Sequence, residues 1–276
     1  MSAPAVEDTR GLSELLARGG VFVLTGAGVS TESGIPDYRD EQGEWKRSPP
    51  MNFREFTGSE AARRRYWARS VLGFAPLRGA QPNAAHRALA ACEERGLTSA
   101  MVTQNVDGLH QAAGASRVID LHGRIDQVVC LGCRRSSPRA ALQSELVELN
   151  PDWVGREATT APDGDADPGE SDYSGFRVPN CGECGGVLKP DVVFFGENVP
   201  KDRVERAMAA LQAARALLVV GSSLMVFSGY RFVRAAAQRA IPIAVVNRGR
   251  TRADDVASLK IDGSAGRVLS DAVGGL

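Results

Sequence analysis

VFVLTGAGVSTESGIPDYR, residues 21–39, places a short apolar run directly before a glycine-rich turn. Such a strand and turn begin many nucleotide-binding α/β folds, where Gly26 and Gly28 would let backbone N–H groups approach a phosphate and a helix beginning near Val29 would add its positive end. However, Thr31 fills the sixth position of the Gly-x-Gly-x-x-Gly fingerprint, and no strand ending in Asp or Glu follows about 20 residues later. The stretch therefore differs from a dehydrogenase loop, and the missing Gly-Lys-Ser/Thr excludes a P-loop. Taken alone, it also fits a tight strand-to-helix turn.

The composition is that of a globular protein without a charged partner. The chain has 276 residues, 43% of them hydrophobic, and its 33 Lys and Arg balance 33 Asp and Glu. Zero net charge gives no argument for an obligate nucleic-acid partner or an anionic membrane. No apolar run reaches membrane-spanning length, and the start MSAPAVEDTR resembles neither a signal peptide nor a transit peptide. We expect a soluble, cytoplasmic monomer.

Short apolar runs alternate with helix-compatible stretches along most of the chain. Most of the runs lack period-two alternation, as expected for strands covered on both faces. The expected strands of one sheet are residues 21–24, 100–103, 118–121, 191–195, 216–220 and 242–246, with helices in 11–18, 84–95, 202–214 and 229–240. This alternation predicts an α/β fold with a Rossmann-like, doubly wound parallel sheet.

Polar residues and glycines follow each of these runs. The segments are TGAG, QNVDGLH, HG, GEN, GSS and NRG, in chain order. Loops are generally polar, so one such segment would mean little. Six of them, beginning with a glycine turn, predict a ligand site at the carboxyl edge of the sheet.

Two segments interrupt the expected core, which comprises residues 1–39, 81–123 and 191–276. Residues 40–80 are rich in Arg and aromatic residues, with helical character around 59–72, and residues 124–190 contain four of the five cysteines. Within the second segment, residues 151–176 are rich in Pro, Gly and Asp and carry little apolar periodicity. They predict a long acidic loop that is irregular or disordered.

The cysteines give the strongest single signal. Cys130 and Cys133 form one Cys-x-x-Cys pair, and Cys181 and Cys184 form another. In a chain without a secretion signal, two such pairs indicate one closed tetrahedral Zn²⁺ site. A closed set of four thiolates leaves no position for water, so this zinc would be structural. Cys92 stands alone in a helical stretch and is expected to pack in the core.

His122 is the candidate general base. It is one of three histidines and lies at the end of an expected strand, next to Gly123. Asn105 and Asp107 are two residues apart on one loop, which would let both side chains enter one cleft. A lone histidine is equally compatible with a purely structural role.

Together these motifs resemble the sirtuins, the Sir2 family of NAD-dependent protein deacylases. The resemblance rests on GAGVSTESGIPDYR, TQNVDGLH, LHG, the two Cys-x-x-Cys pairs, KPDVVFFGE, GSSLMV and VN, in an order that matches from about residue 20 to 270. RYWAR, CLGC, LKPDVVFFG and the long insert between the cysteine pairs are most similar to the class II branch that contains the mitochondrial sirtuin 4.

The resemblance implies a Rossmann-type domain, a smaller zinc-binding module and NAD as a consumed co-substrate. Gly26, Ala27 and Gly28 would contact the pyrophosphate, and Asp37 the nicotinamide carboxamide. Other implied NAD contacts are Thr31, Ile35, Pro36, Tyr38, Arg39, Gln104, Asn105, Asp107, Gly221, Ser222, Ser223, Asn247, Arg248 and Ala265.

The same resemblance implies the reaction. The acyl oxygen of an acyl-lysine would take the anomeric carbon as nicotinamide leaves, His122 would act as general base on the ribose hydroxyls, and water would complete the transfer. The products would be lysine, nicotinamide and O-acyl-ADP-ribose. The backbone around Val193, Phe195–Glu197 (including Gly196) and Leu224–Val226 would bind the substrate peptide as an added strand.

Tyr66 and Arg69 would share one helix face and resemble the pair that binds malonyl- and succinyl-lysine in acidic-acyl deacylases. The alternative is an Arg-rich solvated face. Two further functions stay open at this point: a protein mono-ADP-ribosyltransferase that uses the same bond cleavage, and a non-catalytic zinc-ribbon binding module.

Overall fold

The computed structural model describes residues 6–160 and 163–276, so Ala161 and Pro162 of the expected acidic loop and residues 1–5 of the expected leader-free start lie outside it. The chain forms two compact units. Unit 1 comprises the chain up to Arg47, Gln81–Leu121 and Val199–Leu276; unit 2 comprises Ser48–Ala80 and His122–Asn198.

A parallel six-stranded sheet forms the centre of unit 1, which confirms the predicted fold class. The strands are β1 (Val21–Thr25), β2 (Thr98–Thr103), β3 (Val118–Asp120), β9 (Ala216–Val220), β10 (Ile243–Val246) and β11 (Leu259–Ile261). Their order is β11-β10-β9-β1-β2-β3, and each neighbouring pair is parallel. Every residue of β1 and β9 is buried, so the continuous apolar runs reflect strands covered on both faces.

Helices cover both faces of this sheet. They are α1 (Val6–Ala17), α4 (Ala84–Glu94), α5 (Leu109–Ala112), α7 (Lys201–Gln212), α8 (Phe227–Gln238) and α9 (Ala265–Gly274). One apolar cluster joins the sheet to α1, α4 and α9 through residues such as Leu16, Leu89 and Leu269. The other cluster lies on the opposite face, with Leu211 and Phe232 from α7 and α8. The helices expected from the sequence are thus confirmed.

Unit 2 combines helices with small antiparallel sheets. Its helices are α2 (Phe53–Gly58), α3 (Glu60–Gly79) and α6 (Arg139–Leu149), and its strands are β4 (Gly123–Cys130), β5 (Ser136–Pro138), β6 (Thr159–Thr160), β7 (Ala166–Asp167) and β8 (Leu188–Val192). The sheets have the orders β5-β4-β8 and β6-β7. Arg139 is fully buried between the rings of Trp67 and Phe74, with its guanidinium 5.1 and 4.5 Å from their centroids. The two helices of this unit that carry these residues therefore pack through cation–π contacts.

The structure corrects the assignment of the run 191–195. The strand is Leu188–Val192, and it pairs antiparallel with β4 in unit 2 instead of joining the parallel sheet. The sixth place in the parallel sheet belongs to β11, which was not among the expected strands. β11 is only three residues long, with Lys260 between Leu259 and Ile261, so it is too short to show a periodic pattern.

The unit boundaries also differ from those expected. Residues 40–47 belong to unit 1, whereas residues 48–80 join the zinc-binding segment in unit 2. Unit 2 further includes His122, Gly123 and residues 191–198. The reason is pairing: Gly123 is bonded to Val192 through β4 and β8, and Phe53 donates its N–H to the Phe195 carbonyl at 2.9 Å.

The described residues of the acidic loop fit the first of the two expected forms, an irregular loop, with short regular stretches only at Pro151–Trp153, Thr159–Thr160 and Ala166–Asp167. Trp153 stacks on Tyr173 at 5.4 Å and meets Phe176 edge-on, and Ala166 and Phe176 are each only 1% exposed. A Cβ on Gly73 of α3 would lie 2.3 Å from the carbonyl oxygen of Gly164, so the loop backbone lies directly on the helix backbone. Aromatic contacts thus order the loop internally, and the close approach at Gly73 places it on α3.

Within the described residues, the helices are all too short or too polar to cross a lipid bilayer.

Candidate active site and zinc site

The residues expected to bind NAD in unit 1 gather at one edge of its sheet. Because the strands are parallel, the loops that follow β1, β2, β9 and β10 all leave from their carboxyl ends. These loops carry Gly26–Gly28, Gln104–Asp107, Gly221–Ser223 and Asn247–Arg248. The parallel topology of unit 1 therefore brings these four loops to the same edge of the sheet, as the sequence predicted.

The glycine turn after β1 is built differently from the expected strand-to-helix turn. Residues Ala27–Val29 and Thr31–Ser33 form two short 3₁₀ turns, and Gly34 has a left-handed φ of +84°. The α-helix expected near Val29 is absent from this stretch, because the left-handed Gly34 and the following Ile35-Pro36 step end the helical path. A helix dipole therefore contributes nothing at this position.

The glycines bring two loops together. Gly26 donates its N–H to the Val220 carbonyl at 3.1 Å, and Gly28 donates to the Gly221 carbonyl at 2.8 Å. A Cβ on Gly26 would lie 2.7 Å from Ser222 Cβ, and one on Gly28 would lie 3.0 Å from Gly221 Cα. Both N–H groups are thus bonded to carbonyls at the end of β9 and in the loop that follows it.

The loop after β9 is joined to the loop after β2. Ser222 is 7% exposed and donates from Oγ to Oε1 of Gln104 at 3.0 Å. Ser223 accepts the N–H of Arg252 at 3.1 Å, so its carbonyl is fixed by the chain beyond β10. Leu224 follows at a positive φ of 60°, a strained value for a branched side chain.

The remaining predicted NAD residues have fixed positions in the same unit. Asn247 is 9% exposed and donates its side-chain N–H to the Arg248 carbonyl at 2.6 Å, while Arg248 is exposed. Ala265 begins α9, capped by Ser264. Thr31 donates from Oγ1 to the Gly28 carbonyl at 3.0 Å.

The GIPDYR segment ends in a small turn held by its own side chains. Asp37 pairs with Lys46 at 2.5 Å, and the guanidinium of Arg39 lies 4.0 Å from the Trp45 ring centroid. Tyr38 meets the same ring edge-on at 6.1 Å. Ile35 is 5% exposed and anchors the start of the segment. Asp37, which the resemblance assigns to nicotinamide, therefore has Lys46 as its partner in this structure.

A buried polar network connects the glycine turn with the loop after β2. Ser30 is 1% exposed and donates from Oγ to Oδ2 of Asp107 at 2.7 Å. The side-chain amide of Asn105 donates to the same Ser30 oxygen at 3.0 Å. Ser30 thus joins the predicted pair, although it was not among the predicted site residues. Its position between Gly28 and the GIPDYR segment was the available signal, but serine is common in turns.

His86 sets the direction of this network. Its Nδ1 accepts the backbone N–H of Asn83 at 3.3 Å, so the proton of the neutral ring is on Nε2. Nε2 lies 3.4 Å from Ser30 Oγ and therefore donates to it. Ser30 accepts from His86 and Asn105, which leaves its single hydroxyl proton for Asp107.

His110 lies next to His86 and is also neutral. The ring centroids are 4.8 Å apart, and His110 Nε2 lies 2.9 Å from the hydroxyl of Thr25, which itself donates to Thr103. Burial lowers the pKa of His86 to about 4 and that of His110 to about 3. The hydrogen-bond direction described above therefore holds at neutral pH.

In unit 2, His122 directly precedes β4. Its carbonyl accepts the N–H of Val193 at 2.8 Å, which ties the predicted general base to the segment expected to bind the peptide. In that segment Gly196 has a φ of +76°, and the carbonyl of Phe195 accepts the N–H of Phe53. Of the other predicted peptide residues, Leu224 and Val226 belong to unit 1, where Val226 precedes α8.

Tyr66 and Arg69 both have partners within unit 2. Tyr66 is 6% exposed among Phe56, Trp67 and Phe194, and burial raises the pKa of its hydroxyl. Arg69 donates from Nε and Nη2 to the two carboxylate oxygens of Asp165, both at 2.8 Å. The guanidinium expected to bind an acyl carboxylate thus already holds a carboxylate of the acidic loop.

Four cysteines of unit 2 converge on one point. The Sγ atoms of Cys130, Cys133, Cys181 and Cys184 all lie within 4.8 Å of one another. The Sγ–Sγ distances of Cys130–Cys184 and Cys133–Cys181 are 3.5 and 3.8 Å, close to the edge of a tetrahedron with Zn–S bonds of about 2.3 Å. The donor set fits one structural Zn²⁺, as predicted. Cys92 lies in unit 1 and is fully buried, also as predicted.

We expect Cys133→Ser to lower bound zinc from about one equivalent to a small fraction, since a thiolate ligand is lost. Metal analysis of the purified protein measures this, and a thermal melt should show a lower Tm. Cys92→Ala is the matched control and should keep its zinc. Retention of full zinc by Cys133→Ser would contradict the four-cysteine site.

We expect stability to fall as pH drops. His86 and His110 have folded pKa values of about 4 and about 3, below their ordinary value near 6.5, so the unfolded chain takes up protons first. The contribution of the two neutral histidines to the free energy of unfolding is complete above the ordinary pKa of about 6.5. It is lost progressively as pH falls toward their folded pKa values. Urea midpoints at about pH 7 and about pH 5.5 should therefore differ less in His86→Asn than in the unsubstituted protein. Equal differences would contradict this cause.

A family profile described as the Sir2 family matches residues 26–228. A protein of Bordetella bronchiseptica named NAD-dependent protein deacetylase is 58% identical over 253 residues, 92% of either chain. A protein of Xanthomonas axonopodis pv. citri with the same name is 56% identical over 271 residues, 98% of this chain and 92% of the relative. A solved structure titled Sir2 bound to acetylated peptide is 28% identical, covers 97% of this chain and 98% of its own, and has a TM-score of 0.76. On this family match and these identities, the chain belongs to the Sir2 family.

Proposed function

We propose that this chain is an NAD-dependent protein-lysine deacetylase, which converts an acetyl-lysine protein, NAD and water to lysine, nicotinamide and O-acetyl-ADP-ribose. The observation that carries the proposal is the directed network of Ser30, Asn105 and Asp107 at the carboxyl edge of the sheet. The names of the relatives, NAD-dependent protein deacetylase, and the peptide complex of the similar structure support it.

The donor set of unit 1 suits NAD. Hydroxyls and amides of Ser30, Gln104, Asn105, Ser222 and Asn247 lie on loops of one sheet edge, as ribose and phosphate groups require. When bound, NAD supplies a nicotinamide–ribose bond whose cleavage leaves an electrophilic anomeric carbon. We assign the NAD contacts to the residues that the sequence predicted, together with Ser30.

Each catalytic group has its own role in this proposal. Asp107, whose Oδ2 accepts the Ser30 proton and whose Oδ1 accepts the N–H of Leu109 at 2.9 Å, has a fixed carboxylate that orients a ribose hydroxyl. Asn105 orients the water and the ribose through its amide. His122 accepts a proton from the ribose 2′-hydroxyl, so that this oxygen attacks the acyl carbon.

The peptide would bind as an added strand. The backbone of Val193 and Phe195–Glu197 in unit 2 and of Leu224–Val226 in unit 1 would supply its hydrogen bonds. The strained φ of Leu224 supports a functional role for that segment, since such strain concentrates at binding sites.

His122→Ala should lower deacetylation of an acetyl-lysine peptide by at least about 100-fold, because the general base is lost. Mass spectrometry of peptide and small-molecule products measures the reaction, with zinc content and Tm as controls for folding. Free lysine peptide with O-acetyl-ADP-ribose is the expected product pair.

The outcomes separate the alternatives. ADP-ribose attached to protein would favour the ADP-ribosyltransferase, and absence of nicotinamide release with any acylated peptide would favour the binding module. Unchanged deacetylation in His122→Ala would contradict the mechanism.

We also propose that the acidic loop selects against acidic acyl groups. Asp165 occupies the guanidinium of Arg69 with two hydrogen bonds, and Asp167 lies 3.4 Å from Nη1. An incoming succinyl carboxylate would have to displace Asp165, whereas acetyl carries no competing charge. This proposal is the opposite of the first hypothesis, in which Tyr66 and Arg69 bind the succinyl carboxylate. That hypothesis is the alternative outcome of the experiment below.

Asp165→Asn should raise kcat/KM for a succinyl-lysine peptide by about tenfold, because the charge competing for Arg69 is removed. Deacetylation should change little, and Arg69→Met in the same chain should abolish the gain. Asp172→Asn, in the same loop but bonded to Ser174, is the matched control. A strong succinyl preference of the unsubstituted protein, lost in Arg69→Met, would overturn the selection and restore the clamp.

Three finer assignments complete the proposal. Membership of the class II, sirtuin 4-like branch is supported by RYWAR, CLGC and the acidic loop between the cysteine pairs. A cytoplasmic location is supported by the five free cysteines, four of which converge on a metal site. Zero net charge supports action on peptide substrates without a nucleic-acid or membrane partner, and we propose that the chain acts as a monomer.

A further inference from the structure

Lys189 in β8 is a buried cation whose hydrogen bonds all go to one short segment. The residue is 3% exposed, and its Nζ donates to the carbonyls of Pro190, at 3.1 Å, and Val192. Nζ also lies 3.1 Å from Oε2 of Glu197. An ammonium group has three N–H donors, so these three oxygens account for all of them.

Glu197 turns back onto its own chain. Its Oε2 accepts the N–H of Phe194 at 2.9 Å, and its N–H donates to the Phe194 carbonyl at 3.0 Å. The four-residue turn is therefore closed by two bonds, around Gly196 at a positive φ. The Glu197 carboxylate, which could have contacted a substrate side chain, instead bonds through Oε2 to Phe194 and Lys189.

The cost of this arrangement points to a geometric role. Removing an ammonium and a carboxylate from water is expensive, and an apolar residue of similar size would stabilise a core at least as well. Lys189 is flanked by the rings of Phe194 and Phe53, with centroids at 4.8 and 6.0 Å, so an apolar side chain would find a compatible environment. The pair of Lys189 and Glu197 instead fixes the path of the backbone from Pro190 to Glu197.

That path continues directly to His122. The N–H of Val193 donates to the His122 carbonyl at 2.8 Å, one residue after the carbonyl that Lys189 holds. On the other side, the Phe195 carbonyl accepts the N–H of Phe53 at 2.9 Å. A displacement of the turn would thus move both the peptide-binding backbone and the backbone of the general base.

We propose that Lys189 and Glu197 are positioning residues for deacetylation, which together hold the segment Val192–Glu197 in the path that binds the peptide and aligns His122. The inference rests on the proposed function. It refines the role expected for Glu197: the backbone contacts the peptide, and the side chain is an internal brace.

The test is the K189M variant, which keeps the aliphatic stem and removes the three donors. We expect the KM for an acetyl-lysine peptide to rise by about tenfold to a hundredfold, as is typical of a displaced binding group. The Kd for NAD without peptide should stay within about twofold, since the NAD contacts are assigned to residues of unit 1, whereas Lys189 bonds to Pro190, Val192 and Glu197 of unit 2. A merely structural residue would instead change both together with Tm.

Hydrogen exchange gives a second, local readout. The amides of Val193 and Phe194 should exchange faster in K189M, while Leu131, whose N–H bonds to Val187 in the zinc-binding part, should exchange as before. K201M is the matched control, because Lys201 forms an exposed pair with Glu205, and it should leave all of these values unchanged.

E197Q covers the possibility that K189M loses its zinc or fails to fold. Gln keeps the size and one acceptor but loses the charge, so the peptide KM should rise in the same direction. In the double variant the KM should be close to that of K189M alone, because both substitutions break one unit.

The outcomes are distinct from those that test the function itself. If the unsubstituted protein does not deacetylate, the proposed function fails. If it deacetylates and both K189M and E197Q keep its peptide KM, the function stands and the positioning role is overturned. Additive effects in the double variant, or equal losses in peptide and NAD binding, would also overturn it.

Discussion

The site of unit 1 depends on a contact in which two loop backbones leave no room for a side chain. A Cβ on Gly221 would lie 2.2 Å from the N atom of Val29, and Gly221 has a φ of +61°. Gly26 and Gly28 make the same approach from the other loop. This contact holds the turn after β1 against the turn after β9, and it places Ser30 and Ser222 on one edge. The glycines thus act first on protein geometry, and the ligand site follows from that geometry.

Buried neutral histidines then give the site its hydrogen-bond direction. His86 keeps its proton on Nε2 because its Nδ1 accepts the backbone N–H of Asn83. His110 keeps its proton on Nε2 because the Thr25 hydroxyl donates to Thr103 and therefore accepts from this nitrogen. Their low pKa values make the network insensitive to pH near neutrality. As a result, the Ser30 hydroxyl donates its hydrogen bond to Asp107 and orients that side chain. Unit 2 uses a comparable device in Lys189 and Glu197, where a buried ammonium and a partly buried carboxylate fix a backbone path.

The sequence predicted correctly those features that depend on residues close together in the chain. Five of the six expected strands lie in the parallel sheet, because continuous apolar runs mark strands that are covered on both faces. The run at 191–195 failed because a short apolar segment carries no information about its pairing partner. Its partner is β4, about 60 residues earlier, and β11 was not predicted because three residues are too few to show a periodic pattern. The zinc site was predictable because each Cys-x-x-Cys pair supplies two ligands at a spacing typical of zinc sites.

The sequence by itself determined the α/β class, the four zinc ligands, the loops at the carboxyl edge and the Sir2 family, since each depends on residue type and spacing along the chain. Only the tertiary structure decided which groups those residues touch. It showed that Arg69 is held by Asp165, that Ser30 joins Asn105 and Asp107, and that Lys189 braces the turn before Glu197. Some of these contacts join residues that are far apart in the chain, and others depend on burial. Burial changes the energy of every polar group, and it is a property of the folded molecule alone.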